Sequence, residues 1–459
     1  MANITGRIFD LGKNALLTYQ QGINVTSHNI ANVNTPGFSR QRLIITSNTP
    51  VNSDIGQIGA GVRADGVQRI YNAYIDGQIV RENSKLGEWE EKTVFLQRAE
   101  SVFNESSGTG LSQYLAEFWN AWQDLASKPS GITERNILVG KSETLSDQFR
   151  RMYASLGRIQ AEISENIQNA ADQINSHARQ IADLNNKINS VEGMGDSAND
   201  LRDKRETVIK DLSLLADIRT IEGANGTLSV FFANDGKPIV VGISAAGGGK
   251  AVQMDPLTDE IVDPDGAAIT FSGGKIKGWM DTRDREIQQY MDDLDALALA
   301  ITDEVNTLHS GGFGLDGSTG NNFFTGTGAG NIRVDSGISA DVNTIASAAN
   351  AGEVPGGNGN ALAIAGLQEK QILNSGRTGA GDYYNSLITK IGGAVQNASH
   401  NSEYQSDMMH QLEIFRESVS GVSLDEEMIK LIQYRKAYEA AAKIITVTDE
   451  LLETVMNMI

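Results

Sequence analysis

Residues His28–Gln41, HNIANVNTPGFSRQ, mark the point where one kind of structure ends and another begins. From Ile4 to Val33, which lies within this stretch, apolar residues recur every three or four positions, which is the pattern of an amphipathic helix. Pro36 has no backbone N–H and keeps the residue before it out of the helical region, and Gly37 can adopt a positive φ. The sequence therefore predicts a helix that ends near Val33 and a sharp turn at Pro36-Gly37.

The next part of the chain changes from extended to helical spacing. Residues 39 to 80 read as extended, whereas residues 83 to 215 have helical spacing throughout. The longest run is a heptad pattern from Leu145 to Val191 that stops at Gly193. Such a run predicts a rod-like helix of about 70 Å, at 1.5 Å per residue.

The middle of the chain has a different character. Ile218 to Val241 alternates apolar and polar residues and carries Asn225-Gly226 and Asp235-Gly236, dipeptides that favour tight hairpin turns, so we predict a β meander there. A helix is predicted again near 283–309. A Gly- and Asn-rich region follows, and helical spacing resumes after about residue 383 and runs to the last residue.

These patterns predict an α+β multidomain fold. Residues 1–40 and 420–459 are expected to form a terminal α-helical coiled coil, and residues 41–216 and 361–419 a mainly helical domain of long-helix bundle type. Residues 217–360 are expected to form an inserted, mainly-β domain. In this order the terminal segments enclose the helical domain, which in turn encloses the β domain. The first and last helices should therefore lie side by side.

Each terminal helix carries an apolar seam. A helix with one apolar stripe is marginal in water, so we predict that these seams pack axially, against each other or against other copies. The alternative is an ordinary intramolecular core. The predicted axial-packing residues are Ile4, Ile8, Leu11, Leu16, Tyr19, Ile23 and Ile30 in the first helix, and Leu424, Met428, Leu431, Tyr438, Ile445, Leu452 and Met456 in the last.

The Asn-rich turn is a second candidate for function. Asn side chains can bond to free backbone groups at a helix end. We predict that the turn is the rigid end of the first helix and redirects the chain toward the helical domain; a plain helix C-cap is the alternative. The turn signature consists of Asn29, Asn32, Asn34, Pro36 and Gly37.

Composition and motifs argue against most other classes of function. The formal net charge of −20 disfavours nucleic-acid or anionic-membrane partners. The absence of cysteine excludes disulfides, thiolate nucleophiles and Cys-ligated metals. No apolar run is long enough for a membrane span, and the N-terminus does not read as a secretory signal peptide. No metalloprotease, P-loop or nucleophile-elbow motif occurs, so we expect no enzyme, cofactor or metal site.

Several stretches resemble a known family. SHNIANVNTPGFSRQR, Ser27–Arg42, closely resembles the N-terminal signature of bacterial flagellar axial proteins. Ser420–Met458 is similar to the C-terminal signature of the type 1 hook-associated proteins within that class. Asn199–Ser213, NDLRDKRETVIKDLS, and Asn306–Phe324 are similar to internal stretches of the same family, and rod and hook proteins lack the first of them.

This resemblance implies a structural protein that connects the flagellar hook to the filament by axial packing of its terminal helices. It implies export in an unfolded state through the flagellar type III apparatus, from a transient cytoplasmic stage to the extracellular flagellum. The implied partners are hook protein, the second hook–filament junction protein, other copies of the chain in a ring, and an export chaperone at the C-terminal region. The length implies that an additional outer domain of some members is missing.

Two other readings remain open from the sequence. A hook or rod protein would polymerise by itself into tubes, and Asn199–Ser213 argues against this reading. An axial scaffold carrying an enzymatic or adhesive β domain would need convergent carboxylates within residues 217 to 345, where the sequence has acidic turns but no organised set.

Overall fold

The computed structural model describes residues 2–53, 56–104, 110–223 and 226–457. The chain forms two compact units. The first unit contains Met1–Leu86, Ala171–Gly274 and Gln405–Ile459, and the second contains Gly87–Ala170 and Lys275–Tyr404. The predicted domain limits stay a prediction, since these units divide residues 217–360 between them at Gly274.

Long helices dominate the described residues. The first helix ends at Ala31, close to the predicted position, and the longest has 62 residues, or roughly 90 Å at 1.5 Å per residue. The α-helices are α1 Ala2–Ala31, α2 Ala73–Val102, α3 Leu111–Ser127, α4 Ile132–Gly193, α5 Asn199–Leu215, α6 Gly274–Asp281, α7 Gln288–Gly311, α8 Ser336–Ala340, α9 Gly359–Ala365, α10 Ala380–Ser420 and α11 Leu424–Met456.

Helix α2 begins earlier than the spacing predicted. Residues up to 80 were expected to be extended, but α2 starts at Ala73. The side chain of Asn72 explains the start, because its Oδ1 accepts hydrogen bonds from the backbone N–H of Tyr74 at 3.0 Å and of Ile75 at 3.4 Å. The apolar face of this first part, Ile75 and Ile79, is buried.

The strands form small antiparallel sheets. Strands β5 to β7 confirm the predicted meander, β8 extends it, and Gly236 has a φ of 73° in the turn before β7. Strand β1 pairs with β4 beside the first helix. The strands are β1 Gln41–Ser47, β2 Val51–Ser53, β3 Gly56–Ile58, β4 Val62–Arg69, β5 Ile218–Glu222, β6 Leu228–Phe232, β7 Pro238–Val241, β8 Ser244–Ala245, β9 Gln253–Met254, β10 Ile261–Val262, β11 Phe324–Thr325, β12 Arg333–Val334, β13 Gln371–Leu373 and β14 Thr378–Gly379.

The helix predicted near 283–309 is longer and irregular. It begins as α6 at Gly274, passes through a π-helical turn at Thr282–Ile287 and continues as α7 to Gly311. The charged run DTRDRE at 281–286 interrupts the apolar spacing, so the spacing did not predict that α6 and α7 form one continuous helix. The wider π turn keeps Trp279 and Ile287 buried on both sides of the run.

The second unit contains a buried aromatic cluster that encloses a histidine. The rings of Trp122 and Phe323 lie 5.1 Å apart, with His309 packed against both. Nδ1 of His309 donates to the Asn321 carbonyl at 2.7 Å, and Nε2 accepts from the Ala346 N–H at 3.0 Å. Burial lowers the pKa of His309 to about 4. The ring therefore serves as a structural link between two loops.

Candidate functional site: the terminal helix pair

Helices α1 and α11 pack side by side in the first unit, as the nested segment order predicted. They are antiparallel, because Gly12 faces Ile445 near one end and Asn29 bonds to Glu427 near the other. A Cβ added to Gly12 would lie 2.8 Å from the Ile445 side chain. The helices can therefore approach this closely only where α1 has small residues.

The buried seam of α1 is made of small and polar residues. Gly12 and Gly22 face α11, and Asn29 contacts both α11 and the start of β1. The buried positions of α1 are Gly12, Ala15, Thr18, Gly22, Thr26 and Asn29. On α11 the buried positions are Glu427, Ala441 and Thr448. The closest contact between α1 and α11 is thus formed by small residues, with a polar contact between Asn29 and Glu427 at one end.

The predicted axial-packing residues flank this seam, and many are still open to solvent. The half-buried ones are Leu11, Leu16, Tyr19, Ile23, Ile30, Leu431, Tyr438 and Ile445. The exposed ones are Ile8, Leu424, Met428, Leu452 and Met456. Ile4 lies within α1, but its side chain is outside the described part of the chain. The α1–α11 contact therefore leaves apolar surface on both helices uncovered.

A second apolar row on α11 escaped the sequence analysis. Its members are Ile429, Ile432, Ile444, Val447 and Leu451, with exposed fractions of 57%, 51%, 38%, 41% and 53%. At 100° per residue this row is centred roughly 120° around the helix from the buried positions of α11. Helix α11 thus has two apolar faces, and α1 covers one of them. Testing both faces, instead of following one heptad stripe, would have found the second row.

A buried polar junction closes the Asn29 end of the pair. Asn29 is fully buried; its Nδ2 donates to the Gln41 carbonyl at 2.8 Å and to Oε2 of Glu427 at 2.9 Å, and its Oδ1 accepts from the Gln41 N–H at 3.0 Å. The other oxygen of Glu427, Oε1, accepts from Nζ of Lys430 at 2.8 Å. One amide side chain therefore joins α1, the start of β1 and α11.

The rest of the turn signature has more local contacts. Nδ2 of Asn32 donates to the His28 carbonyl at 3.0 Å, at the end of α1. Gly37 has a φ of 77°, and a Cβ there would lie 2.5 Å from Oγ1 of Thr207 in α5. Asn34 and Pro36 are exposed. The structure thus brings Asn29 and Gly37 into tertiary contacts, while Asn32 bonds within the turn.

The internal stretch Asn199–Ser213 lies against this turn as helix α5. Oδ2 of Asp203 accepts from the Ser39 N–H at 2.9 Å, and its Oδ1 accepts from Arg69 at 2.8 Å. Arg69 also donates to Glu206 at 2.9 Å. Burial raises the pKa of the Glu206 carboxyl, although the Arg69 charge opposes this rise. Two sequence signatures that are far apart in the chain therefore form one structural unit.

Searches for other kinds of site gave two results. Within the described ranges, no group of three or more His, Asp or Glu side chains could hold a metal ion. None of the helices described is both long and apolar enough to cross a lipid bilayer.

Three family sequence models match the chain. Residues 96–324 match the flagellar hook-associated protein FlgK helical domain. Residues 417–458 match the flagellar basal body rod FlgEFG protein C-terminal region, and residues 9–38 match the flagella basal body rod protein. Both terminal helices thus fall in regions shared with rod proteins, while the helical region carries the hook-associated pattern.

Known proteins of similar sequence match nearly the whole length of this chain. The chain is 30% identical to flagellar hook-associated protein 1 of Bacillus subtilis, over 98% of this chain and 97% of the relative. It is 24% identical to flagellar hook-associated protein 1 of Escherichia coli, over 96% and 97% of the two chains. The flagellar hook junction protein FlgK from Burkholderia pseudomallei has the same fold, with a TM-score of 0.66 and 14% identity over 75% of this chain and 100% of that one. The chain belongs to the flagellar hook-associated protein 1 family.

Proposed function

We propose that the α1–α11 pair is the element by which this structural flagellar protein connects hook to filament. The observation that carries the proposal is the second apolar row of α11, which α1 leaves open. Neighbouring copies and the terminal helices of other axial proteins would cover this row. The matches of both chain ends to rod-protein models support a mode of packing shared by the axial class.

The energetics of the helix pair support assembly through this surface. Five large aliphatic side chains, each 38% to 57% exposed, lie on one side of a single helix, two near its start and three near its end. Burying a Val, Leu or Ile side chain completely contributes about 1.5–3 kcal/mol, so covering half of five of them contributes roughly 4–7 kcal/mol per copy. In a ring, each copy would make this contact, and the sum would stabilise the junction.

The expected partners follow from this surface. Hook protein would meet the pair on one side, the second hook–filament junction protein on the other, and further copies of the chain around the ring. Before export the same apolar row would need a cover in the cytoplasm, and an export chaperone at the C-terminal region would supply it. The final location would be the extracellular flagellum.

The proposed role is structural rather than catalytic. The relatives are flagellar hook-associated proteins by name, and the residues that converge in the first unit, Asn29, Asp203 and Arg69, are engaged in bonds between segments of the chain. An enzymatic or adhesive function of the strands between 217 and 262 would require a ligand that binds there. The contacts named here favour the structural role instead.

Co-sedimentation with isolated hooks tests the proposal. We expect full-length protein to bind hooks saturably at substoichiometric levels, and Val447→Asp to reduce this binding strongly, because it places a charge in the open row. Thr446→Asp is the matched control, since Thr446 is exposed on the polar face of the same helix. If both variants bound hooks equally well, the open row would not be part of the interface. If the protein formed long tubes by itself, the result would favour a hook or rod polymer.

A further inference from the structure

The first unit contains a cavity of about 550 Å³ between the first turns of α2, helix α5 and strand β5. Its lining is rich in positive charge, in a chain whose net charge is −20. The cationic side chains that line it are Arg69, Arg81, Arg202, Arg205, Lys210 and Arg219. The terminal helices are not part of this lining, so the cavity is separate from the helix pair.

The lining also holds four carboxylates, and Asp203 and Glu192 bond to it from outside, so carboxylates equal the cations in number but are unevenly placed: five of them bond to only three cations. The paired cations are Arg69 with Asp203 and Glu206, Arg202 with Glu192 and Glu222, and Lys210 with Asp76. The remaining lining carboxylate, Asp217, accepts a hydrogen bond from Oγ of Ser272 at 2.8 Å. Arg81, Arg205 and Arg219 have no carboxylate partner within the described ranges. Three guanidinium groups at one cavity thus lack a direct carboxylate partner, and that of Arg219 lies over the Phe231 ring at 5.4 Å.

Arg205 is the most unusual of the three. Its side chain is 2% exposed, and its Nη1 donates to Oδ1 of Asn185 at 2.8 Å and to the Gly226 carbonyl at 2.6 Å. Its buried Nε has no hydrogen-bond partner. Burial lowers the pKa of Arg205 to about 10. Glu206 and Glu222 act on Arg205 only at a distance, and a buried cation without a directly bonded anion is costly, so an anion in the adjoining cavity would be stabilised.

Arg135 shows that this chain can satisfy a buried arginine with its own groups. Arg135 is fully buried, yet its Nε and Nη2 donate to the Pro129 carbonyl, its Nη1 to the Ile345 carbonyl and its Nη2 also to Oγ of Ser347. All three guanidinium nitrogens of Arg135 therefore have hydrogen-bond partners within the protein, and no bound ligand is needed to satisfy them. Arg205 differs because it borders open space and leaves Nε unpaired.

We propose that this cavity binds a small multivalent oxyanion, such as phosphate or a compact di- or tricarboxylate. Arg205 would contact the anion from the buried side, and the exposed Arg81 and Arg219 would close over it from the solvent side. Guanidinium groups suit this task, because their planar donors match the oxygens of phosphate and carboxylate groups. The bound anion would tie α2, α5 and β5 together.

Calorimetric titration of the full-length chain with inorganic phosphate, and separately with citrate, tests this inference. Chloride at matched ionic strength is the reference for unspecific screening. The variant is Arg81→Gln/Arg219→Gln, since both side chains are exposed and their loss should leave the fold intact. Arg377→Gln, at an exposed position in another part of the chain, is the matched control.

We expect saturable binding of phosphate, citrate or both by the wild type and by Arg377→Gln, and at least about tenfold weaker binding by the double variant, which corresponds to the loss of one charge-assisted contact. Preference for one probe would identify the oxyanion class. Absence of saturable binding by the wild type would overturn the inference, as would equal affinity of the double variant. Hook binding is measured separately, so neither result depends on the terminal helices.

Discussion

Asn29→Ala should weaken the first unit more than any single loss of an exposed polar residue. The side chain of Asn29 makes three hydrogen bonds that join three separate segments, two to the Gln41 backbone and one to the Glu427 carboxylate. Both Asn29 and Glu427 are at most 1% exposed. Water therefore cannot easily replace the bonds that the substitution removes.

The magnitude follows from these contacts. A buried bond between neutral groups contributes about 1 kcal/mol and a bond to a charged group about 1.5–3 kcal/mol, so the three together amount to roughly 3–5 kcal/mol. Asn29→Asp should cost still more at neutral pH, because a second carboxylate would lie against Glu427. Its penalty should shrink as the pH falls and one of the two carboxyls takes up a proton.

Urea unfolding followed by far-UV circular dichroism measures these free energies, and amide exchange in α1 reports the local effect. Asn24→Ala is the matched control, since Asn24 is exposed on the same helix and should change stability by less than about 0.5 kcal/mol. A loss below about 1 kcal/mol for Asn29→Ala would refute the view that this junction fixes the helix pair.

Three further predictions concern other parts of the chain. Gly22→Leu should cost about 1–3 kcal/mol in urea unfolding, because even a Cβ there would lie 3.0 Å from a tyrosine ring of α11, whereas Gly6→Leu should have little effect, since nothing lies within 4 Å of its added Cβ. The buried His309, whose pKa is lowered to about 4, contributes stability above its ordinary pKa of 6.5 that is lost as the pH falls toward 4; unfolding at pH 4.5 should show a loss of roughly 2–3 kcal/mol that His309→Gln lacks. Replacing Pro36-Gly37 by Ala-Ala should let α1 continue and reduce co-sedimentation with hooks; unaltered hook binding would disprove a rigid-turn role.

The sequence was sufficient to predict the main helices and the C-terminal ends of α1 and α4, because these depend on local signals, but it missed where α2 and α6 begin. Pro36 and Gly37 determine the turn after α1, and Gly193 ends α4 where the heptad pattern stops. The pairing of the two terminal helices followed from the nested order of the segments. These features need only periodicity and the special backbone preferences of proline and glycine.

The contacts that define the site could not be predicted from spacing. The apolar spacing predicted a contact made of Ile and Leu. In the structure, the close approach of α1 to α11 requires Gly12 and Gly22 on α1 instead. Spacing alone does not show that these two glycines face α11. Arg69 and Asp203 are 134 positions apart, and only the fold brings them within 2.8 Å. Polar contacts between distant segments leave no periodic signal in the chain.

The most direct test of the account is the burial of the open row of α11 on assembly. The chain has no cysteine, so Val447→Cys introduces a single thiol whose labelling rate by a maleimide can be compared in free and hook-bound protein. We predict rapid labelling in the free protein and at least about tenfold slower labelling on hooks, with a smaller change for Thr446→Cys on the polar face. An unchanged labelling rate of Val447→Cys on hooks would contradict the claim that this row joins the protein to its neighbours.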